Sequence, residues 1–222
     1  MSQYFVPHPD NPQPRLMRQA AEIVRAGGVI VLPTDSCYAL ACHLDDKDAA
    51  TRLRRIRGID ERHHLTLLCR DLSEIAQYAQ VDNTQYRLMK ATTPGPYAFI
   101  LPATREVPKR VSHPSRKTIG LRVPDHAIAQ ALLHELDQPL LATTLILPGD
   151  EAPMTSGWEI HQRLAGQVDL VLDGGACGFE PSTVIDLTGA APQLVRAGRG
   201  ALAPFGFASG LVSGVASDMV EQ

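Results

Sequence analysis

An apolar run at residues 29–32, Val-Ile-Val-Leu, is followed directly by Pro33, Thr34, Asp35 and Ser36. A continuous apolar run of this length predicts a strand buried on both faces. Pro33 stiffens the turn that follows the strand. That turn carries two hydroxyl groups and a carboxylate at the carboxyl end of the strand. Open α/β sheets usually bind ligands at this edge. The residues also fit an ordinary strand followed by an Asp-Ser turn, and spacing alone does not separate the two interpretations.

The remaining patterns predict a mixed α/β architecture. Helical periodicity and capping residues predict helices at residues 16–24, 45 or 46 to about 57, 72–78, 84–91, 128–136 and 159–164. Apolar runs predict strands at residues 29–32, 65–69, 97–101, 118–123, 140–145, 168–172, 183–187 and 193–196. Strands alternate with helices early and cluster late. This order predicts an α/β (α+β) fold with a twisted, open sheet of mixed parallel and antiparallel strands, with helices packed on it.

Charge and cysteine content exclude several classes of protein. The chain has 21 basic and 24 acidic residues, a formal net charge of −3, whereas wrapping duplex nucleic acid usually needs an excess of positive charge. Its four cysteines form no CxxC pair, which predicts free thiols in a reducing cytosol. Residues 1–18 contain no apolar run typical of a signal peptide, and no stretch approaches the ~20 apolar residues of a membrane helix. We therefore expect a cytoplasmic protein without a membrane partner.

Five short motifs occur in a defined order along the chain. They are Pro-Thr-Asp-Ser-Cys-Tyr-Ala-Leu at 33–40, Thr-Pro-Gly-Pro-Tyr-Ala-Phe-Ile-Leu at 93–101, Gly-Leu-Arg-Val-Pro at 120–124, Asp-Gly-Gly at 173–175 with Pro-Ser-Thr-Val-Ile-Asp-Leu at 181–187, and Arg-Ala-Gly at 196–198. Together they resemble the PTDTxYGL, PGPxTxIL, VRxP, DGG…STV and R-x-G elements of the YrdC/YciO family, the threonylcarbamoyladenylate synthases and their paralogues. The resemblance covers about residues 16–205, and its details are most similar to the YciO branch.

The resemblance implies a fold and a reaction. The fold is a single YrdC-like domain, expected at residues 1–206, with a concave basic surface. The reaction condenses L-threonine, bicarbonate and ATP into threonylcarbamoyl-AMP and pyrophosphate, and the product modifies adenosine in transfer RNA. Such chemistry needs reactants to be positioned and a triphosphate to be held by cations and Mg²⁺. We therefore expect Mg²⁺ to enter with ATP, no protein nucleophile and no protein metal site.

The resemblance also assigns residues to two parts of a site. Threonine contacts are implied for Thr34, Ser36, Tyr38, Arg122 and Thr144, and nucleotide contacts for Arg57, Thr118, Ser182, Thr183 and Arg196. An arginine side chain suits a carboxylate because its guanidinium can donate two parallel hydrogen bonds. Arg122 alternates with Leu121 and Val123, so in a strand its side chain lies on one defined face. A surface arginine beside Pro124 is the alternative interpretation.

Three positions depart from the pattern of the synthases. Ile59 replaces the second cation of the Lys-x-Arg motif, Ile146 replaces the asparagine of the SAN motif, and Ala98 replaces the threonine of PGPxT. Loss of one charged contact to a phosphate costs roughly 1.5–3 kcal/mol. The departures predict weak synthase activity unless other groups compensate. Nearby basic residues that could do so, or that could simply form a solvated face, are Arg54, Arg55, Arg62, His63 and His64.

The basic residues leave a second class of function open. Another basic stretch comprises Arg105, Lys109, Arg110, Arg116 and Lys117. If it adjoins the stretch around residues 52–62, the combined field favours the backbone of double-stranded RNA or transfer RNA. A binding protein without synthase activity, and an ATP-dependent carbamoylation of another acceptor, are therefore the alternatives. Residues 207–222 are rich in small residues and are expected to form a flexible tail.

Overall fold

The computed structural model describes residues 2–61, 63, 65–109, 111 and 117–208. Its helices are α1 (Pro14–Arg25), α2 (Lys47–Arg57), α3 (Leu72–Tyr78), α4 (Asn83–Thr92), α5 (Ala127–Leu136) and α6 (Gly157–Arg163), with a short 3₁₀-helix at Ala203–Phe205. Its strands are β1 (Gln3–Phe5), β2 (Ile30–Leu32), β3 (Ala39–His43), β4 (Thr66–Leu68), β5 (Tyr97–Pro102), β6 (Thr118–Arg122), β7 (Leu140–Thr144), β8 (Leu170–Leu172), β9 (Thr183–Asp186) and β10 (Gln193–Arg196). Each predicted helix and strand is present, whereas β1 and β3 were not predicted.

The strands form one sheet in the order β1-β8-β2-β3-β7-β4-β6-β5-β9-β10. The pairs β1–β8, β2–β8, β4–β6 and β5–β9 are parallel. The pairs β2–β3, β3–β7, β4–β7, β5–β6 and β9–β10 are antiparallel. The prediction of a mixed, open sheet is therefore confirmed.

Local signals account for the ends of α2, which carries part of the basic stretch. The carboxylate of Asp46 accepts a hydrogen bond from the backbone N–H of Ala49 at 2.8 Å, so it caps the first turn. Gly58 ends the helix with a positive φ of 69°, a conformation that glycine adopts without a Cβ penalty. A Cβ at Gly58 would also lie 2.7 Å from Pro148. These contacts fix where the chain leaves α2 beside the end of β7.

One face of the sheet is covered along most of its width. The first core contains buried side chains from every strand between β8 and β9 in the sheet order, packed with side chains of α2, α3, α4 and α6. Leu121 and Val123 belong to it. Their burial here confirms that the side chain of Arg122 lies on the opposite face of β6.

The opposite face is covered over only half of its width. The second core joins α1 and α5 to side chains of β8, β2, β3, β7 and β4. Among the described residues, it contains no side chain of β6, β5, β9 or β10. Among the described residues, strands β6, β5, β9 and β10 therefore have no helical layer on this side, and we call this part of the sheet the uncovered face.

Two residues of the predicted C-terminal tail are described. Of the predicted tail at 207–222, only Phe207 and Ala208 are described, and Phe207 packs against the first core. The rest of that prediction lies outside the described residues.

Within the part of the chain that the structure describes, no helix has the length and apolar character needed to cross a membrane.

Candidate ligand site

Strand register brings three of the predicted ligand residues onto the same face of the sheet. Through β4, Ala142 of β7 is aligned with Gly120 of β6. Side chains alternate along a strand, so Thr144, two residues after Ala142, shares the face with Thr118 and Arg122, which flank Gly120. Thr118 and Arg122 belong to the same strand, and the strand order β7-β4-β6 places Thr144, which is distant in sequence, on the same face.

The same register continues to the other edge of the sheet. Ile100 of β5 is opposite Gly120, and Ala98 on the same face is opposite Val184 of β9. Val184 is in turn opposite Arg196 of β10. Arg196 therefore extends the face that carries Arg122, and a ligand on this face meets cations from two different strands.

The turn after β2 is organised by the hydroxyl group of Thr34. This hydroxyl donates to the carbonyl of Cys37 at 2.6 Å and accepts from the backbone N–H groups of Ser36 and Cys37 at 3.2 and 3.3 Å. Thr34 and Ser36 are only 3% and 2% exposed. Thr34 thus holds the turn in shape, and its contact to threonine stays a prediction. The hydroxyl of Ser36 is left facing β6.

Arg122 is the central charged group of the site. Its side chain is buried, donates to Ser36 Oγ at 2.9 Å and forms an ion pair with Asp35. Burial lowers the pKa of Arg122, and the adjacent carboxylate of Asp35 opposes that effect. The Nε of Arg122 and the Oδ2 of Asp35 have no hydrogen-bond partner among the described residues. Arg122 and Ser36 therefore meet, and Asp35 joins them through an ion pair with Arg122 that was not predicted.

Thr118 is the most informative of the residues that are predicted to contact the nucleotide. Its side chain is 6% exposed, and its hydroxyl has no hydrogen-bond partner among the described residues. A buried hydroxyl without a partner is costly in a folded protein, so an explanation is needed for its retention. A ligand oxygen on the uncovered face would satisfy it.

The last two motifs form a single local structure. Arg196 donates to the carbonyl of Ser182 at 2.9 Å. The hydroxyl of Thr183 donates to the carbonyl of Gly200 at 2.7 Å and accepts from the N–H of Gly198 at 3.1 Å. Thr183 neighbours Val184 in β9 and so faces away from Arg196. Its position fits a role in holding the R-x-G turn, and its predicted nucleotide contact stays a prediction.

Two arginines near the end of α2 donate hydrogen bonds to different parts of the chain. Arg57 donates from Nε to the carbonyl of Thr144 at 3.0 Å, and burial lowers its pKa. Arg54 donates to the carbonyls of Asp60 and His63 and therefore holds the loop after the helix. Ile59 packs against the first core. Arg57 is thus positioned at the site beside Thr144, whereas Arg54 serves the loop and Ile59 replaces a cation with a core contact.

His63 shows that these cations share one electrostatic environment. Desolvation by the surrounding protein lowers the pKa of His63. The positive charges of Arg57, Arg54 and Arg196 lower this pKa further. Charges from the end of α2 and from strand β10 therefore act on the same side chain. Arg62 and His64 lie outside the described residues.

The cysteines of the site are poor nucleophiles. Burial raises the pKa of Cys37 to about 11, although Arg122, Arg196 and Arg199 act in the opposite direction. Burial also raises the pKa of Cys177 to about 11. Reactivity requires the thiolate, which is scarce at neutral pH when the pKa is this high. Neither thiol is therefore suited to nucleophilic attack at neutral pH, and none of the four cysteines forms a disulfide.

Asp173 of the DGG motif holds one wall of the site. Its carboxylate accepts from the backbone N–H of Gly175 at 2.8 Å and from the hydroxyl of Tyr4. The ring of Tyr38 is buried in the first core, and its hydroxyl lies 2.6 Å from the carbonyl of Gly175 and 3.1 Å from the same carboxylate. The hydroxyl of Tyr38 is thus used by residues 173–175, and its contact to threonine stays a prediction. Tyr4 of the unpredicted strand β1 is a site-supporting residue that sequence reasoning missed.

Replacing Tyr4 by phenylalanine is expected to lower the free energy of unfolding by about 1–2 kcal/mol, because it removes a hydrogen bond to a carboxylate. The ring contacts to Trp158 and His161 would remain. Partial burial, followed by the bond to Asp173, raises the pKa of Tyr4 to about 12, so the hydroxyl stays protonated at neutral pH. Urea unfolding measures the difference. Tyr86→Phe on α4, an exposed tyrosine, is the matched control, and equal losses in both variants would contradict the role of Tyr4.

A separate groove of about 330 Å³ lies between β1 and α1. Its lining includes Gln3, Gln19 and Glu22 and contains no cation. An anionic ligand would find no positive charge there. The uncovered face with Arg122 and Arg196 is therefore the better candidate for binding phosphate or carboxylate groups.

Comparison with known proteins agrees with this geometry. The sequence model of the Sua5/YciO/YrdC family, described as "Telomere recombination", matches residues 22–198, and the chain belongs to this family. It is 56% identical over 205 residues to the protein YciO of Escherichia coli K12, covering 92% of this chain and 100% of that one. The crystal structure of E. coli YciO superposes with a TM-score of 0.89 over the same shares of the two chains. The predicted family and its YciO-like character are confirmed.

More distant relatives carry a named activity. The chain is 31% identical over 178 residues to a threonylcarbamoyl-AMP synthase of Halorhodospira halophila, covering 80% of this chain and 92% of the relative. The crystal structure of Pyrococcus abyssi Sua5 complexed with L-threonine matches with a TM-score of 0.80 and 26% identity, over 87% of this chain and 57% of that one. The fold thus also occurs in proteins that make threonylcarbamoyl-AMP or bind threonine.

Proposed function

We propose that this chain binds ATP and L-threonine on the uncovered face of its sheet and slowly forms threonylcarbamoyl-AMP. The observation that supports this most strongly is the buried Arg122, held against Ser36 on the face that also carries the unpartnered hydroxyl of Thr118. A guanidinium fixed in this way is suited to an amino-acid carboxylate. Similarity to threonylcarbamoyl-AMP synthases supports the choice of substrates.

In the proposed reaction, the amine of threonine attacks the carbon of bicarbonate, and water leaves to give a carbamate. A carbamate oxygen then bonds to the α-phosphorus of ATP while the bond to the β-phosphate breaks, and pyrophosphate departs. Neither step needs a covalent protein intermediate. The protein orients the reactants and offsets the negative charge that develops, through Arg122 at the carboxylate and through Arg57 and Arg196 at the phosphates.

Magnesium is proposed to enter with ATP, since it is usually bound by few carboxylates together with substrate phosphates and water. The buried Oδ2 of Asp35, which has no partner among the described residues, is an oxygen that fits such an ion. The ion would neutralise phosphate charge when it is bound. Asp35 would at the same time keep its ion pair with Arg122.

The test is production of pyrophosphate from ATP and bicarbonate, with and without L-threonine. We expect threonine-dependent release that is slower than in a synthase with the second cation, by about 10–100-fold for one lost charged contact. Arg122→Met is the variant that should lose this activity. Its control is Arg18→Gln on α1, which also removes one positive charge but at an exposed position away from the site. Threonine-dependent release no greater than that of Arg122→Met would refute the proposed activity.

Replacing Thr118 by valine is expected to change stability and binding in opposite directions. Valine keeps the shape but removes a buried hydroxyl that has no partner among the described residues, so the free energy of unfolding should rise by about 1 kcal/mol. Loss of a ligand hydrogen bond should weaken ATP binding by about 2–10-fold. Thermal unfolding and calorimetric titration with ATP measure the two effects. Unchanged ATP affinity would contradict the assignment of Thr118 to the nucleotide.

Binding of double-stranded RNA or transfer RNA stays a prediction. Arg110 and Arg116 lie outside the described residues, as does Arg62 of the other basic stretch. Duplex-RNA binding that weakens steeply as salt is raised would support this alternative.

A further inference from the structure

Arg199 lies directly beside the candidate site, although no motif includes it. Its backbone N–H donates to the carbonyl of Pro181 at 2.9 Å, next to Ser182. Its guanidinium lies 3.0 Å from the position that a Cβ on Gly178 would occupy, and the carbonyl oxygen of Ser36 lies 2.7 Å from the same position. The side chain of Arg199 is therefore at the turn that follows β2, on the side of the site that carries Arg196.

The space for this guanidinium depends on Gly178. Any side chain at position 178 would collide with the carbonyl of Ser36 and press on Arg199. The glycine thus allows the backbone of residues 173–178 to approach the turn while leaving room for the guanidinium. This close approach keeps the guanidinium of Arg199 beside the turn that carries Ser36.

The three arginines around Cys37 differ in how their charges are compensated. All three oppose the effect of burial on the pKa of Cys37, so all act at the same place. Arg122 is neutralised by Asp35, whereas Arg196 donates to an uncharged carbonyl. Arg199 forms no ion pair within the part of the chain that the structure describes, and Glu180, close in sequence, is exposed. Two positive charges therefore remain available on the β10 side.

We propose that Arg199 is a phosphate-binding residue that acts with Arg196 on the β- and γ-phosphates of the nucleotide. This inference rests on the proposed function, because it assigns the leaving pyrophosphate to the β10 side of that site. Ile59 leaves Arg57 as the only member of the former Lys-x-Arg pair with a charge. Arg199 supplies a second cation from the turn that follows β10. Adjacent phosphates carry enough negative charge to bridge two guanidinium groups, which is the chemistry that selects pyrophosphate over a single phosphate.

The experiment compares inorganic pyrophosphate and AMP as ligands, each with Mg²⁺, by calorimetric titration of the full chain. Arg199→Gln is expected to weaken pyrophosphate binding by about 10–100-fold and AMP binding by less than about threefold. Arg199→Lys should recover part of the loss because it keeps the charge. Arg18→Gln, which removes a charge from an exposed position on α1, should bind both ligands like the unaltered protein.

The inference is overturned if Arg199→Gln binds pyrophosphate as tightly as the unaltered protein, or if the unaltered protein does not bind it. It is also overturned if AMP affinity falls as much as pyrophosphate affinity, since Arg199 would then not act on the outer phosphates. The proposed function fails separately, when threonine-dependent pyrophosphate release is absent. A thermal melt of each variant shows that it is folded.

Discussion

Replacing Arg122 by methionine is expected to abolish measurable threonine binding and to lower the free energy of unfolding by about 3–5 kcal/mol. Arg122 is buried and paired with Asp35, so its removal leaves a buried carboxylate without its counter-ion. Methionine has a similar length but cannot donate to Ser36 or to a ligand carboxylate. Urea unfolding and calorimetric titration with L-threonine measure the two losses.

A second variant separates the loss of binding from the loss of stability. In Arg122→Met combined with Asp35→Asn, the buried charge at position 35 is removed as well, so most of the lost stability should return. Threonine binding should remain absent, since the guanidinium is still missing. Threonine affinity in the single variant equal to that of the unaltered protein would show that Arg122 does not bind the substrate. A double variant as unstable as the single one would show that the buried charge is not the cause.

Elements with local signals could be predicted from the sequence. The capping carboxylate of Asp46 and the positive φ of Gly58 define the two ends of α2, and each residue is adjacent to the end that it sets. Strand β1 could not be predicted in this way, because it is stabilised by parallel pairing with β8, which is distant in sequence. Strand β3 was not predicted, because residues 37–40 were interpreted only for their resemblance to the signature motif.

The candidate site was predictable to the extent that alternation along a strand defines it. The side chain of Arg122 lies on the face of the sheet opposite to that of Leu121 and Val123, as expected because side chains alternate along a strand. The ion pair with Asp35 was not predicted, because the residues are far apart in sequence and come together only through the sheet. Arg199 was missed for a similar reason: its neighbours Gly178 and Ser36 belong to other segments.

Ile59 and Ala98, two of the departures from the synthase pattern, can now be placed in the fold. Ile59 packs against the first core, so the end of α2 gains an apolar contact where the synthases carry charge. Ala98 lies on the uncovered face opposite Val184, one strand from Arg196. The positive charge available to a ligand is therefore weighted toward β10. A protein with this distribution depends more on the conformation of the R-x-G turn than a protein with two cations on α2.

Replacing Gly198 by alanine is therefore expected to damage the site severely and to lower the free energy of unfolding by about 3 kcal/mol. A Cβ at this position would lie 2.2 Å from the carbonyl oxygen of Pro181 and 2.7 Å from the carbonyl carbon of Ser182. Both are backbone atoms, so no side-chain rotation relieves the collision. The turn must move away from β9, and the hydrogen bonds of Arg196 to Ser182 and of Arg199 to Pro181 should be lost.

Gly189→Ala is the matched control, because a Cβ there has only the carbonyl of Ala191 nearby, at 3.7 Å. That variant should be unchanged or stabilised by up to about 1 kcal/mol through the reduced freedom of the unfolded chain. Pyrophosphate affinity should fall at least about tenfold in Gly198→Ala and stay unchanged in Gly189→Ala, because only the first displaces two cations. Equal stability of the two variants in urea would contradict the need for a glycine at this approach. Lost stability with normal pyrophosphate affinity would show that the turn holds β10 in place without positioning the cations.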